Sequence, residues 1–232
     1  MIAPKRYKLI ACEILSREIY HCAAQCKHIV DITFLSKGLH DIGSDNMSNR
    51  LQNALNEVDV DKYDAILLGY GLCNNGIIGL KASLPMVVPR AHDCITLLMG
   101  SKERYKAYHA QHASAYYKST GWIERDTNPN DTDQSVTGQL GINKTYLEYV
   151  EQYGEDNAKF LMDTMGNWLK NYSQYTYIDT NIGDFKHYKE QVKQEADEKH
   201  WQYDEVSGST ILLMKLLNGE WDDNEFLVVP PW

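Results

Sequence analysis

Three cysteines and a histidine stand where short apolar runs end. Cys12 closes the run that begins at Lys8-Leu9-Ile10-Ala11, and Cys73 lies in the turn Gly69-Tyr70-Gly71-Leu72-Cys73-Asn74-Asn75-Gly76. His92-Asp93-Cys94 follows Met86-Val87-Val88-Pro89. Thiolate and imidazole suit zinc, ferrous iron or an iron–sulfur cluster rather than hard cations. His92-x-Cys94 with a distant cysteine is also a spacing that can hold zinc and activate a bound thiol for methyl transfer. Taken singly, each cysteine reads equally as a small buried hydrophobe, and His92 as a group that hydrogen-bonds a loop. Convergence in space is what separates the two readings.

Parallel strands would supply that convergence. Residues 8–12, 29–35, 64–70 and 86–89 are short apolar runs bounded by turn-forming residues, as buried strands are. Between the second and third, Met47, Leu51, Ala54, Leu55 and Val58 recur at helical spacing behind Ser44 or Asp45 as N-cap. Such alternation predicts parallel strands with crossover helices, and open sheets of this kind bind ligands at their carboxyl edge. Glu13, Arg17 and Arg90 fall at that edge beside the cysteines. Arg90 can clamp an anionic substrate or pair with Asp93 or Glu13, and His92 can serve as a fourth metal ligand or an acid–base group.

The glycines of Gly69-Tyr70-Gly71, with Asn74 and Asn75 after them, let main-chain amides approach a cofactor or anion. No Gly-Lys-Ser/Thr follows and the dinucleotide spacing is incomplete, so adenine nucleotide binding is not expected. Ser209, in the turn Gly208-Ser209-Thr210, can hold a carboxylate or phosphate or simply cap the next helix. Cys22 and Cys26, one helical turn apart, read as structural thiols.

The C-terminal part repeats the plan of the first. Ser44 precedes Tyr63-Asp64 by nineteen positions, as Asp184 precedes Tyr203-Asp204, and each Tyr-Asp leads to a Gly turn and a strand ending in proline. The expected fold is α/β, with two related Rossmann-like lobes of mostly parallel sheets. Residues 1–118 form the lobe carrying the Cys/His site and 175–232 the second. Residues 119–174 supply a loop and bridging helices, with a capping box at Thr145-Tyr146-Leu147-Glu148 and an apolar stripe of Leu161, Met165, Trp168, Leu169 and Tyr172.

Composition narrows the partners. In 232 residues, 32 acidic against 23 basic side chains leave a net charge of −9, which argues against a nucleic-acid backbone or an anionic membrane as main partner. No window approaches the ~20 apolar residues of a bilayer span, and the first residues lack a secretory apolar stretch. A cytoplasmic location follows as the expectation, where the five cysteines stay thiols or metal ligands.

Several blocks resemble a prokaryotic family of unknown function, found especially in anaerobes and methane-producing archaea. They are Ala11-Cys12-Glu13-Ile14-Leu15 with Arg17-Glu18, Leu68 to Gly76, Pro89-Arg90-Ala91-His92-Asp93-Cys94-Ile95, Gly100-Ser101 and Gly121-Trp122. Members of that family look to be encoded often near corrinoid-dependent methyl-transfer systems. The resemblance implies a corrinoid protein or methyltransferase as partner and transfers no catalytic role.

Together these features lead to a protein that binds a metal ion (zinc or iron), an iron–sulfur cluster or a corrinoid. Cys12, Cys73, Cys94 and His92 are the candidate ligands, and transfer of a one-carbon group on a small molecule is the expected chemistry. The alternative is a non-catalytic protein that binds, delivers or senses a metal, corrinoid or small ligand. An open coordination position marks the first and a closed protein shell the second.

Overall fold

The computed structural model describes residues 3–40, 44–73, 75–126, 154–155 and 172–232. The chain starts with β1 (Arg6–Cys12), a short 3₁₀ turn (Glu13–Leu15), α1 (Ser16–Gln25) and β2 (Ile29–Leu35). A second turn (Lys37–His40) leads to α2 (Ser44–Asn56), β3 (Ala65–Gly69), β4 (Met86–Pro89), α3 (Cys94–Met99) and α4 (Lys102–Gln111). Then come β5 (Ala115–Ser119), α5 (Thr120–Asp126), β6 (Gln174–Asp179), α6 (Lys186–Glu198), β7 (Gln202–Ser207), α7 (Ile211–Asn218) and β8 (Phe226–Val229).

The first sheet has the order β2-β1-β3-β4-β8, with the first four strands parallel and β8 antiparallel to β4. Every residue of β3 and β4 is buried, which is why those runs are apolar without alternation: helices cover both faces of such a sheet. The chain steps from β1 to β2 on one side and then returns past β1 to β3. Right-handed crossovers therefore place α1 and α2 on opposite faces, and the strand order reverses between β1 and β3. α1 packs on α7, where the Cys26 thiol donates to the Leu217 carbonyl at 3.1 Å and Cys22 lies fully buried. On α2, Met47, Leu51 and Leu55 are the buried positions, as their spacing requires.

The second sheet is β5-β6-β7, all parallel, with α6 packed on β6 and β7. It has its own small core of Ile123, Tyr175, Tyr177, Val192 and Ala196. α5 ties it to the end of β1. A β-carbon on Gly121 would lie 1.9 Å from the Ile14 carbonyl oxygen, so only glycine allows this contact. Arg17 meets Glu124 through two hydrogen bonds of 3.1 and 2.5 Å, and Glu18 accepts from the Thr180 hydroxyl at 2.7 Å. The other Glu18 oxygen is buried with no partner among the described residues, and burial holds this carboxyl above its usual pKa.

The expected repeat of strand order between 44–89 and 184–230 does not occur. β3 and β4 are parallel neighbours, whereas β7 lies in the second sheet and β8 returns to the first, running antiparallel to β4 from Met86↔Val229 to Pro89↔Phe226. β5, from the 1–118 segment, belongs to the second sheet. A four-residue apolar run ending in proline carries no signal of direction, so Phe226-Leu227-Val228-Val229 resembles β4 in composition but not in orientation. The helices expected over 145–169 lie outside the described residues. No helix among the described residues is long and apolar enough to cross a membrane.

Candidate functional site

The strand order reverses between β1 and β3, and in open α/β sheets the carboxyl ends at such a reversal are where ligands bind. Cys12 is the last residue of β1, and Cys73 lies four positions beyond the end of β3, whose partner on β1 is set by the Ala11↔Gly69 pairing. A β-carbon on Gly69 would sit 2.5 Å from the Ala11 side chain, so the small residue allows the two strand ends to approach. The segment after β4 then closes over the same place. Leu72 N–H donates to the Ala91 carbonyl at 2.9 Å and Cys73 N–H to the His92 carbonyl at 3.1 Å. A β-carbon on Gly71 would lie 2.6 Å from the Asp93 nitrogen and 2.9 Å from the Ala91 oxygen. Cys94 opens α3, whose N-cap is Asp93, with Oδ1 accepting from Thr96 N–H at 3.0 Å.

Cys12, Cys73 and Cys94 are thereby buried together, at 1%, 4% and 7% exposure. Burial pushes the Cys12 and Cys73 thiols up to about 12 and Cys94 well above its ordinary value. The charges of Cys73 and Cys12 each raise Cys94 further, so the three thiols lie within electrostatic reach of one another. Amides favour a thiolate at all three. Ile14 N–H serves Cys12, the Gly71 and Cys94 N–H groups serve Cys73, and Cys94 has its own N–H. Cys73 holds a left-handed φ of +44° and Asn75 one of +65°, a conformation that costs a residue with a β-carbon about 1 kcal/mol or more.

Tyr70 is fully buried in this cluster. Its hydroxyl has no hydrogen-bond partner among the described residues. Its pKa is raised well above the ordinary value, first by burial and then by the charges of Cys12, Cys73, Glu13 and Cys94, which identifies the groups around it. Lys37, the first residue of the turn after β2, is a participant that the sequence reading missed. It is buried, its backbone N–H donates to Glu13 Oε1 at 3.0 Å, and its ammonium lies 5.2 Å from the centre of the Trp122 ring. Its positive charge lowers the Cys12 thiol pKa against the effect of burial. The available signal was its position just after a strand, which a lone lysine does not distinguish from a solvated turn.

Other candidates fall elsewhere. The His92 side chain is 78% exposed, with Nδ1 3.0 Å from Asp93 Oδ2. Arg90 directs Nε to the carbonyls of Asp223 (2.8 Å) and Phe226 (3.2 Å), and pairs with neither Glu13 nor Asp93. It faces a separate cavity of about 500 Å³, lined also by Lys102, Lys215, Asp222 and Glu225, that contains none of the thiols. Arg17 is engaged by Glu124 and stacks 4.8 Å from the centre of the Phe185 ring. Ser209 accepts from Ile211 N–H at 3.3 Å, and its own N–H donates to the Leu98 carbonyl at 2.8 Å, the local capping alternative. Asn74 lies outside the described residues.

Among the described residues, no group of three or more His, Cys, Asp or Glu side chains is arranged to hold a metal ion. The thiols lie within electrostatic reach of one another without forming a coordination shell.

The raised thiol pKa values fix a pH dependence. A thiol whose folded pKa exceeds its unfolded value stabilises the fold below the unfolded pKa, and that stability is lost as pH rises through the folded pKa. For Cys12 the window runs from 9.0 to about 12. The melting temperature of the metal-free protein is expected to fall as pH rises through this range, and to fall less in Cys12→Ala. Equal slopes for the two proteins would show that the Cys12 thiol is not desolvated.

Fold and site together define an α/β protein of mostly parallel sheets, with three buried thiols at the carboxyl edge of the first sheet. Residues 34–217 match the family model described as Protein of unknown function (DUF1638), and the chain belongs to that family. Searches of the curated proteins and of the solved structures gave no match.

Proposed function

We propose that this protein binds a soft metal ion, zinc or ferrous iron, or an iron–sulfur cluster, through Cys12, Cys73 and Cys94. The observation that carries the reading is the burial of three thiols distant in sequence, within electrostatic reach of one another at the carboxyl edge of the first sheet. Because no finished shell exists, uptake involves turning the thiols inward, with loss of their protons to solvent or base. The left-handed turn at Cys73 and the first turn of α3 are the elements that adjust.

The chemistry such a site supports is one-carbon transfer on a small molecule. A bound metal would supply Lewis acidity that keeps a substrate thiol deprotonated near neutral pH. With Cys12, Cys73 and Cys94 holding the metal, that thiolate sulfur would take the methyl group as its bond to the donor broke, the electron pair leaving with the donor. A corrinoid protein or a methyltransferase fits the donor or acceptor role, and the family resemblance is what suggests it. The near-complete burial of the thiols favours a second reading, a closed site for storing or sensing metal.

Elemental analysis and absorption spectroscopy of protein purified without oxygen test the proposal. One colourless zinc per chain supports the activated-thiol scheme, and broad absorption near about 400 nm supports a cluster. Protein that contains no metal and takes up neither zinc nor ferrous iron refutes it.

A further inference from the structure

We infer that the cavity between α4, α7 and the turn before β8 binds a small phosphomonoester, whose phosphate is received by Arg90 and Lys102. The site shares no residue with the thiols and depends on no metal.

The turn that leads into β8 supplies the geometry. Asp222 Oδ1 accepts from the Asn224 and Glu225 amides at 3.0 and 3.1 Å, and the Phe226 amide donates to the Asp222 carbonyl at 2.9 Å. The carbonyls that follow face two cations. Arg90 Nε donates to those of Asp223 (2.8 Å) and Phe226 (3.2 Å), its backbone N–H to that of Glu225 (2.7 Å), and Lys102 Nζ to that of Asn224 (3.1 Å).

These partners fix both side chains but carry no charge. Among the described residues neither Arg90 nor Lys102 forms an ion pair, and the two Nη nitrogens of Arg90 have no hydrogen-bond partner. The carboxylates beside them are already engaged. Glu225 pairs with Lys215, Glu103 accepts from the Ser101 hydroxyl at 3.1 Å, and Asp222 holds the turn. Two fixed positive charges without counterions, on separate elements, match a dianion. The fork of Arg90 and the ammonium of Lys102 can take different oxygens of one phosphate.

The cavity, about 500 Å³, falls within the roughly 300–1,000 Å³ of small-molecule sites and leaves room beyond the phosphate. Leu212 gives it an apolar wall, and Glu103, Asp222 and Glu225 line the remainder. Their carboxylates accept hydrogen bonds and repel a second anionic group. The ligand is therefore singly phosphorylated, with hydroxyl groups at its other end.

Calorimetric titration of the full-length protein with glycerol phosphate, glycerol and inorganic phosphate tests the inference. Saturable binding of glycerol phosphate is expected, tighter than that of inorganic phosphate, with none of glycerol. Lys102→Gln is expected to weaken it about 10-fold, equivalent to about 1.4 kcal/mol, and to leave the melting temperature of the free protein unchanged, because this side chain is exposed. Arg90→Lys keeps the charge, loses the fork and is expected to weaken binding as well. Since Arg90 also anchors the turn, Lys102→Gln is the variant that decides. No saturable binding to wild type, or equal affinity in wild type and Lys102→Gln, overturns the inference. Inorganic phosphate bound as tightly as glycerol phosphate also overturns it, because the cavity would then hold a free anion only. None of these outcomes bears on the thiol site.

Discussion

Cys12→Ser, Cys73→Ser and Cys94→Ser are each expected to lose bound metal, while Cys22→Ser keeps it. Serine preserves size but offers a poorly ionised, harder oxygen, so a soft ion loses one of three anionic donors. Changing an outer partner of a ligand lowers affinity roughly 10–100-fold. Replacing the ligand itself is expected to lower it by at least about 100-fold. Cys22 is the internal control. It is as buried as the others, but it lies between α1 and α7 with its thiol 3.9 Å from the Thr210 carbonyl. Metal content per chain, measured after gel filtration without oxygen, reads the outcome. Full stoichiometry in all three variants would remove the site.

Gly71→Ala carries the second large effect. The new β-carbon would stand 2.6 Å from Asp93 N, 2.7 Å from Asp93 Cα and 2.9 Å from the Ala91 oxygen, all backbone atoms that cannot rotate away. The 69–73 turn must then lift from the 91–93 segment. That breaks the Leu72–Ala91 and Cys73–His92 hydrogen bonds and separates Cys73 from Cys94. Overpacking of this kind costs about 1–3 kcal/mol, with each lost hydrogen bond adding to it. The expected result in urea unfolding is a lower midpoint with an unchanged slope, together with reduced metal content in the folded protein. By contrast, Gly79→Ala, at a position whose β-carbon would meet nothing within 4 Å, is expected to leave metal content unchanged.

Much of the first sheet was legible because β1, β3 and β4 are largely buried, β2 is half-buried, and the runs are bounded by turn residues. The runs 29–35 and 86–89 coincide with β2 and β4, and the helix read from Met47, Leu51 and Leu55 begins at Ser44. Parallel topology then placed Cys12, Cys73 and the segment leading to Cys94 at one edge of the sheet, since strand ends meet whatever their separation in sequence. The illegible parts share a cause: local patterns do not encode orientation. β8 has the composition of β4 and runs the other way. His92 and Cys94 are two residues apart, and Asp93 as N-cap sends the imidazole outward while the thiol turns in. Arg90 follows β4 as expected, but the carbonyls that hold it come from Asp223 and from Phe226 at the start of β8, whose pairing with β4 no local pattern announced. Lys37 reads as an ordinary surface cation until the fold buries it against Trp122.

X-ray absorption at the zinc edge, on protein loaded with one zinc per chain without oxygen, tests the central claim most directly because it counts ligands by element and distance. The expected result is three sulfur neighbours at about 2.3 Å with one lighter atom or a fourth sulfur. A shell made only of nitrogen and oxygen at about 2.0–2.1 Å would contradict it, placing zinc away from Cys12, Cys73 and Cys94.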